Sequence, residues 1–116
     1  MFKTGCFALT EKFAGVNSGL VVQTQAHWNA EAGSFVLNSP TEGSSKNWIS
    51  QGYTGTHATV VANLFVDDEP KGPHAFLIKL RSEDGTELSG ITLADMGLKT
   101  IGNQISFFLV PYKPVL

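Results

Sequence analysis

The sequence predicts an all-β domain, a small antiparallel β-barrel or flattened barrel, and three observations support this. Apolar residues occur in short segments, and within several of these segments apolar and polar residues alternate at period two. Gly, Asn, Asp, Ser and Pro separate the segments at the spacing of hairpin loops. No stretch carries an apolar stripe at i, i+3, i+4 and i+7 over three turns, so we expect no long helix.

Seven segments are predicted as strands because β-branched and aromatic residues crowd them. In chain order they are Cys6 to Thr10, Leu20 to His27, Ser34 to Asn38, Lys46 to Ser50, Ala58 to Val66, His74 to Arg81 and Gln104 to Val110. Glycines at the joints, Gly33, Gly72 and Gly85, favour hairpin turns, and Asp84-Gly85 is the clearest tight-turn dipeptide. An antiparallel meander closed into a barrel or sandwich would remove exposed strand edges.

Length and composition predict one domain over residues 1–116, without internal repeats. A hydrophobic fraction of 42% and a charged fraction of 16% are typical of a globular chain, and no apolar run is long enough to span a membrane. The net charge of −2 provides no basic surface, so nucleic acid is not an expected partner. Neither end carries a recognisable targeting signal.

No catalytic or metal-binding constellation is evident. Cys6 is the only cysteine and cannot form an internal disulfide, and the three histidines, His27, His57 and His74, are too widely spaced for a metal motif. The segment from Gly15 to Gly19 lacks the lysine of a phosphate-binding loop and is predicted as a turn. We therefore expect no catalytic residue and no metal ligand in this chain.

Two segments are less ordinary. Phe7 to Glu11 is a strand that ends in a hydroxyl and a carboxylate, and it is followed by a loop, where ligand contacts collect. In the second segment Trp48 and Ser50 are two residues apart and share one side of a strand. An indole face and a hydroxyl suit a planar ligand. When the residues alone are considered, Trp48 fits a core or barrel-mouth position better than a ligand contact.

At these segments the chain resembles the acyl-CoA oxidase and acyl-CoA dehydrogenase family, and nearly all of its length takes part. The matching blocks, in the order that the family has them, are Gly5 to Glu11, Gln23 to Ala26, Ser34 to Thr41, Lys46 to Ser50, Gly72 to Ile78, Gly90 to Thr92 and Lys99 to Asn103. The block from Asn38 to Thr41 and the block from Gly72 to Phe76 favour the oxidase branch.

The resemblance implies the middle β-barrel domain of an FAD-dependent enzyme that desaturates fatty acyl-CoA in β-oxidation. By motif position, Thr10, Trp48 and Ser50 are expected to contact the flavin ring through side chains, with Leu9 and Gly15 as backbone contacts. The general base of the family lies in a helical domain outside this chain, so we expect no activity from the chain alone. The resemblance also implies a peroxisomal or mitochondrial location.

Departures from the family pattern limit these expectations. Phe13 and Val16 replace a small residue and a hydroxyl in the loop after Glu11, which puts a phosphate contact there in doubt. Two other functions stay open: a stand-alone non-catalytic β-barrel that serves as a binding or scaffold module, and an unrelated barrel that binds an apolar ligand. Without its helical domains the chain is expected to expose an apolar face near Phe107 to Val110 or Trp48, and to self-associate.

Overall fold

The computed structural model describes residues 5–11, 22–49, 55–86, 88, 90–95 and 105–109, except for the side chains of Glu42, Trp48 and residues 92–95 and 105–109. This part of the chain contains eight strands and one 3-10 turn but no α-helix, which confirms the all-β prediction. The strands are β1 (Gly5–Ala8), β2 (Gln25–Asn29), β3 (Ser34–Asn38), β4 (Lys46–Ile49), β5 (His57–Val66), β6 (Glu69–Lys79), β7 (Ile91–Asp95) and β8 (Ile105–Leu109), with the 3-10 turn over Glu42–Ser44.

The larger sheet is organised around β5. β6 pairs antiparallel with it along its full length, and β1 and β2 pair with it on the other side, one beside each half. β3 then pairs antiparallel with β2. Both β1 and β2 run parallel to β5, whereas we had expected antiparallel pairs throughout. Parallel pairing needs a long crossover connection, and strand signals in a sequence do not show which distant strand is the partner.

The smaller sheet is antiparallel, in the order β4, β8, β7. β7 was not among the predicted strands although Ile91 and Leu93 alternate with Thr92 and Ala94. Both sheets contribute to a single core, in which Val60, Ile78 and Leu37 of the larger sheet join Ile49 and Ile91 of the smaller one. Because one face of β5 packs on this core, burial alternates along the strand: Ala58, Val60 and Ala62 are buried and their neighbours are not.

The hairpin turns are confirmed in two of three positions. Gly33 and Gly85 have positive φ of 64° and 89° in their turns, and the Gly85 amide donates to Ser82 O at 3.0 Å. Gly72 does not form the third turn, because it lies inside β6 opposite Leu64 and next to a shift of register. The turn is formed instead by Asp67 and Asp68, which tolerate positive φ better than most residues.

The Asp67-Asp68 turn predicts a stabilising substitution. Both residues have positive φ, 53° and 61°, and glycine adopts this conformation without a Cβ clash. We expect Asp68→Gly to raise the free energy of unfolding by about 0.5 kcal/mol, measured by urea denaturation. Asp84→Gly is the matched control, because the Asp84 carboxylate accepts bonds from Ser82 and Thr86 and glycine would lose them. Equal losses of stability in both variants would contradict strain at the Asp67-Asp68 turn.

Candidate functional site

The end of β1 and the start of β4 lie side by side, where the two sheets meet. Glu11 and Lys46 form an antiparallel bridge, and the Asn47 amide donates to the Thr10 carbonyl at 2.8 Å. The structure therefore brings together the two segments that the sequence singled out. Among the described residues, their contact is made by backbone groups and by one pair of charged side chains.

That pair is a buried salt bridge. Lys46 Nζ lies 2.9 Å from Glu11 Oε2, and the two residues are 0% and 2% exposed. The ammonium also donates to the Leu9 carbonyl at 3.0 Å and to the Val61 carbonyl at 2.6 Å. Its three N–H groups are thus all used, as burial of a charge requires.

The Glu11 carboxylate has further donors on its other side. It accepts from the amides of Gln23 at 2.7 Å and Thr24 at 3.0 Å, and lies 2.6 Å from the Thr24 hydroxyl. That hydroxyl is also 3.1 Å from the Ser44 carbonyl, but its single proton is best used on the closer, charged acceptor. The carboxylate therefore holds the segment before β2 against the end of β1.

Two opposing influences act on the Lys46 ammonium. Burial lowers the pKa of Lys46 below its ordinary value, while the hydrogen bond and the charge of Glu11 raise it. Burial is the larger influence. The salt bridge to Glu11 therefore opposes the effect of burial on the pKa of Lys46.

A β-bulge gives β4 an irregular face. Lys46 and Ile49 are both buried, although residues three apart in a regular strand point to opposite sides. The register with β8 shifts between Lys46 and Ile49, which accounts for the change of side. Bulges of this kind are frequent next to ligand sites.

The predicted contact residues are described to different extents. Thr10 is half-buried, and in the described part of the chain its hydroxyl makes no hydrogen bond. Leu9 is half-buried, and its carbonyl accepts from Lys46. The backbone of Trp48 lies in β4, but its side chain, together with Gly15 and Ser50, falls outside the described residues. The grouping of Thr10, Trp48 and Ser50 stays a prediction.

The sequence did not reveal that Lys46, Thr24 and Ser44 are buried. A lysine at the start of a strand is ordinarily solvated, and Lys46 is separated from Glu11 by 35 residues, so nothing local pairs them. No role was predicted for Glu11. The nearest signal of the pair in the sequence is a carboxylate, Glu11, at the end of one predicted strand and a lysine, Lys46, at the start of a later one.

Apolar side chains are exposed away from this junction. Phe7 is 58% exposed and Leu77 is 48% exposed. Phe7 of β1 and Leu77 of β6 each pair with Thr59 of β5, one on either side of it. Their side chains therefore lie on the same, outer face of the larger sheet. The side chains near Phe107 to Val110, where an apolar face was expected, lie outside the described residues. The self-association expected there stays a prediction.

Two kinds of feature are absent from the described residues. No group of three or more His, Cys, Asp or Glu side chains there is placed to hold a metal ion. Among the same residues there is no helix of the length and apolarity that crossing a membrane requires.

Sequence comparison identifies relatives among acyl-CoA oxidases, although no family model matches the chain. An acyl-coenzyme A oxidase-like protein of Mus musculus is 34% identical over 109 residues, which are 90% of this chain and 17% of the relative. Peroxisomal acyl-coenzyme A oxidase 1 of Arabidopsis thaliana is 40% identical over 102 residues, 85% of this chain and 15% of the relative. The chain thus spans about one sixth of the length of the curated relatives it matches.

Solved structures with the same fold are also acyl-CoA oxidases. Acyl-CoA oxidase 1 from Yarrowia lipolytica superposes on 95% of this chain with a TM-score of 0.87 and 29% identity, over 17% of its own length. Acyl-CoA oxidase-2 of Caenorhabditis elegans, bound with FAD, ascaroside-CoA and ATP, superposes on 97% of this chain with a TM-score of 0.83 and 32% identity, over 18% of its own length.

Proposed function

This chain belongs to the acyl-CoA oxidase family over nearly all of its own length, and from that premise we propose that it is the family's middle β-domain, which contacts FAD and the acyl-CoA. The observation that carries the proposal is the superposition on an acyl-CoA oxidase bound with FAD and a CoA ester, at 32% identity over 97% of this chain. The name of the Arabidopsis relative supports a peroxisomal location.

The junction of β1 and β4 fits a flavin in two respects. Thr10 presents a half-buried hydroxyl that has no partner in the described part of the chain, and a flavin ring edge offers both donors and acceptors to such a group. The Leu9 carbonyl is already bonded to Lys46, so we assign the Leu9 contact to its amide N–H. By family position, Trp48 packs on the ring, Ser50 bonds its edge, and Gly15 contributes a backbone contact.

In acyl-CoA desaturation the flavin supplies the acceptor for the hydride that leaves the β-carbon of the acyl chain. The residues of this chain bind and orient that acceptor. A base must also remove the α-proton, and Glu11 does not suit this task because its carboxylate is buried and bonded to Lys46, Gln23 and Thr24. We therefore place the base outside this chain and expect no turnover from it alone.

Flavin binding by the chain alone is expected to be weak. Stacking on one indole contributes about 1 kcal/mol, whereas a micromolar dissociation constant requires about 8 kcal/mol. We therefore propose titration of the full chain with FMN, which carries the same ring, followed by amide chemical shifts in NMR spectra. Saturable shifts are expected at Leu9, Thr10 and Asn47 at millimolar FMN. No peroxide is expected when FAD and an acyl-CoA are added.

Thr10→Val removes the hydroxyl and keeps the branched shape, so it should weaken FMN binding about threefold to tenfold, the value of one hydrogen bond. Thr59→Val, on the outer face of β5, is the matched control and should leave binding unchanged. Absence of shifts at millimolar FMN would favour the stand-alone scaffold instead. Peroxide production by the chain alone would refute the external base.

A further inference from the structure

Three consecutive residues at the end of β1 are bonded to the first two residues of β4. The Leu9 carbonyl and the Glu11 carboxylate accept from Lys46 Nζ, and the Thr10 carbonyl accepts from the Asn47 amide. Lys46 therefore holds the residues on both sides of Thr10. Within the described residues, the Thr10 hydroxyl between them makes no hydrogen bond.

The third bond of the ammonium ties this junction to the larger sheet. Lys46 donates to the Val61 carbonyl, in the middle of β5, at 2.6 Å. One side chain thus connects β4, the end of β1 and the central strand. A β-bulge lies directly after this residue in β4, between Lys46 and Ile49.

Stability alone is a weak reason for such a pair. Removing two charges from water costs several kcal/mol for each ion, and apolar side chains of similar volume often replace a buried pair without loss of stability. Burial lowers the pKa of Lys46, which shows that this cost is felt here. This pair fixes three backbone segments, so it has an effect on geometry whatever its contribution to stability.

We propose that Lys46 is a positioning residue for the flavin, which holds the Thr10 hydroxyl at a set distance and orientation relative to β4 through its bonds to Leu9 and Glu11. The inference rests on the proposed function, since it assumes that the flavin ring contacts both Thr10 and β4. Lys46 itself is fully buried, so its role is placement of Thr10 rather than direct contact with a ring. It acts through Thr10.

The test is a mutant cycle on the full chain, with FMN as the probe and amide shifts as the readout. The double variant Lys46→Met with Glu11→Gln removes both charges and keeps similar volumes, so no unpaired ion is left buried. We expect it to bind FMN about threefold to tenfold more weakly, as Thr10→Val does. Combining all three changes should weaken binding by less than twofold beyond Thr10→Val, because residues that act through one another are not additive.

A purely structural role predicts a different pattern. Fully additive losses in the triple variant, or unchanged FMN binding by the double variant, would overturn the positioning role while Thr10→Val still supports the proposed function. If Thr10→Val also has no effect, the proposed flavin contact is wrong. Thermal unfolding checks that the double variant is folded. If it is not, Glu11→Asp keeps the charge, draws Lys46 back by one methylene, and must weaken FMN binding in the same way.

Discussion

Replacement of Glu11 by glutamine is expected to lower the free energy of unfolding by about 3 to 5 kcal/mol, because it leaves the Lys46 ammonium buried without a counter-charge. The glutamine amide also sets an N–H group against the donors of Gln23 and Thr24, which now bond to the carboxylate. Urea denaturation measures the loss. Glu83→Gln, at an exposed turn position, is the matched control and should change stability by less than about 0.5 kcal/mol.

The loss of stability in the Glu11→Gln variant should become smaller as the pH rises. Burial holds the pKa of Lys46 below 10.5, so between the folded pKa and 10.5 the unfolded chain binds more protons and stability rises with pH. Without Glu11 the two influences that raise this pKa are gone, and the window extends to lower pH. The variant should therefore recover part of its lost stability between pH 7 and pH 9.5. A difference from the native chain that stays constant or grows over this range would contradict the assignment.

Truncation of Ile78 to alanine is expected to cost about 2 to 5 kcal/mol. Ile78 is 0% exposed and lies in β6 among the core residues that both sheets supply, so the deleted atoms leave a cavity as well as a lost transfer free energy. Leu77→Ala provides the control in the same strand. Leu77 is 48% exposed on the outer face and should lose under about 1 kcal/mol.

Denaturation curves for both variants give the comparison, with the midpoint reporting stability and the slope reporting the surface exposed on unfolding. We expect the Ile78 variant to shift its midpoint without a change of slope. Equal losses of stability in the Ile78 and Leu77 variants would contradict the structure, in which one face of β6 is buried and the other is exposed.

Local signals in the sequence predicted strand positions well where the pattern was regular. β3 has the predicted bounds, Ser34 to Asn38, because alternation and turn residues agree there. β6 begins five residues before its predicted start at His74, because Pro70, Gly72 and Pro73 indicated a break. Within the described residues β6 is an edge strand paired with β5 alone, and proline is tolerated on such strands.

The candidate site was predictable in part. The resemblance singled out Thr10 and the strand containing Trp48, and the structure places their segments side by side through the bond between Thr10 and Asn47. The burial of Lys46 was missed, because it depends on three oxygen atoms from Leu9, Glu11 and Val61, which only the folded chain brings together. Contacts between distant segments leave no local pattern in a sequence.

The parallel pairing of β1 with β5 has a consequence for the order of synthesis. A ribosome makes the chain from its N-terminus, and Cys6 is separated by 51 residues from His57, beside which it lies. At about 5 to 20 residues per second, β1 waits roughly 3 to 10 s before β5 has been made. During that interval β5, the strand with which β1 pairs in the described residues, does not yet exist, and this pairing begins only once β5 has left the ribosome.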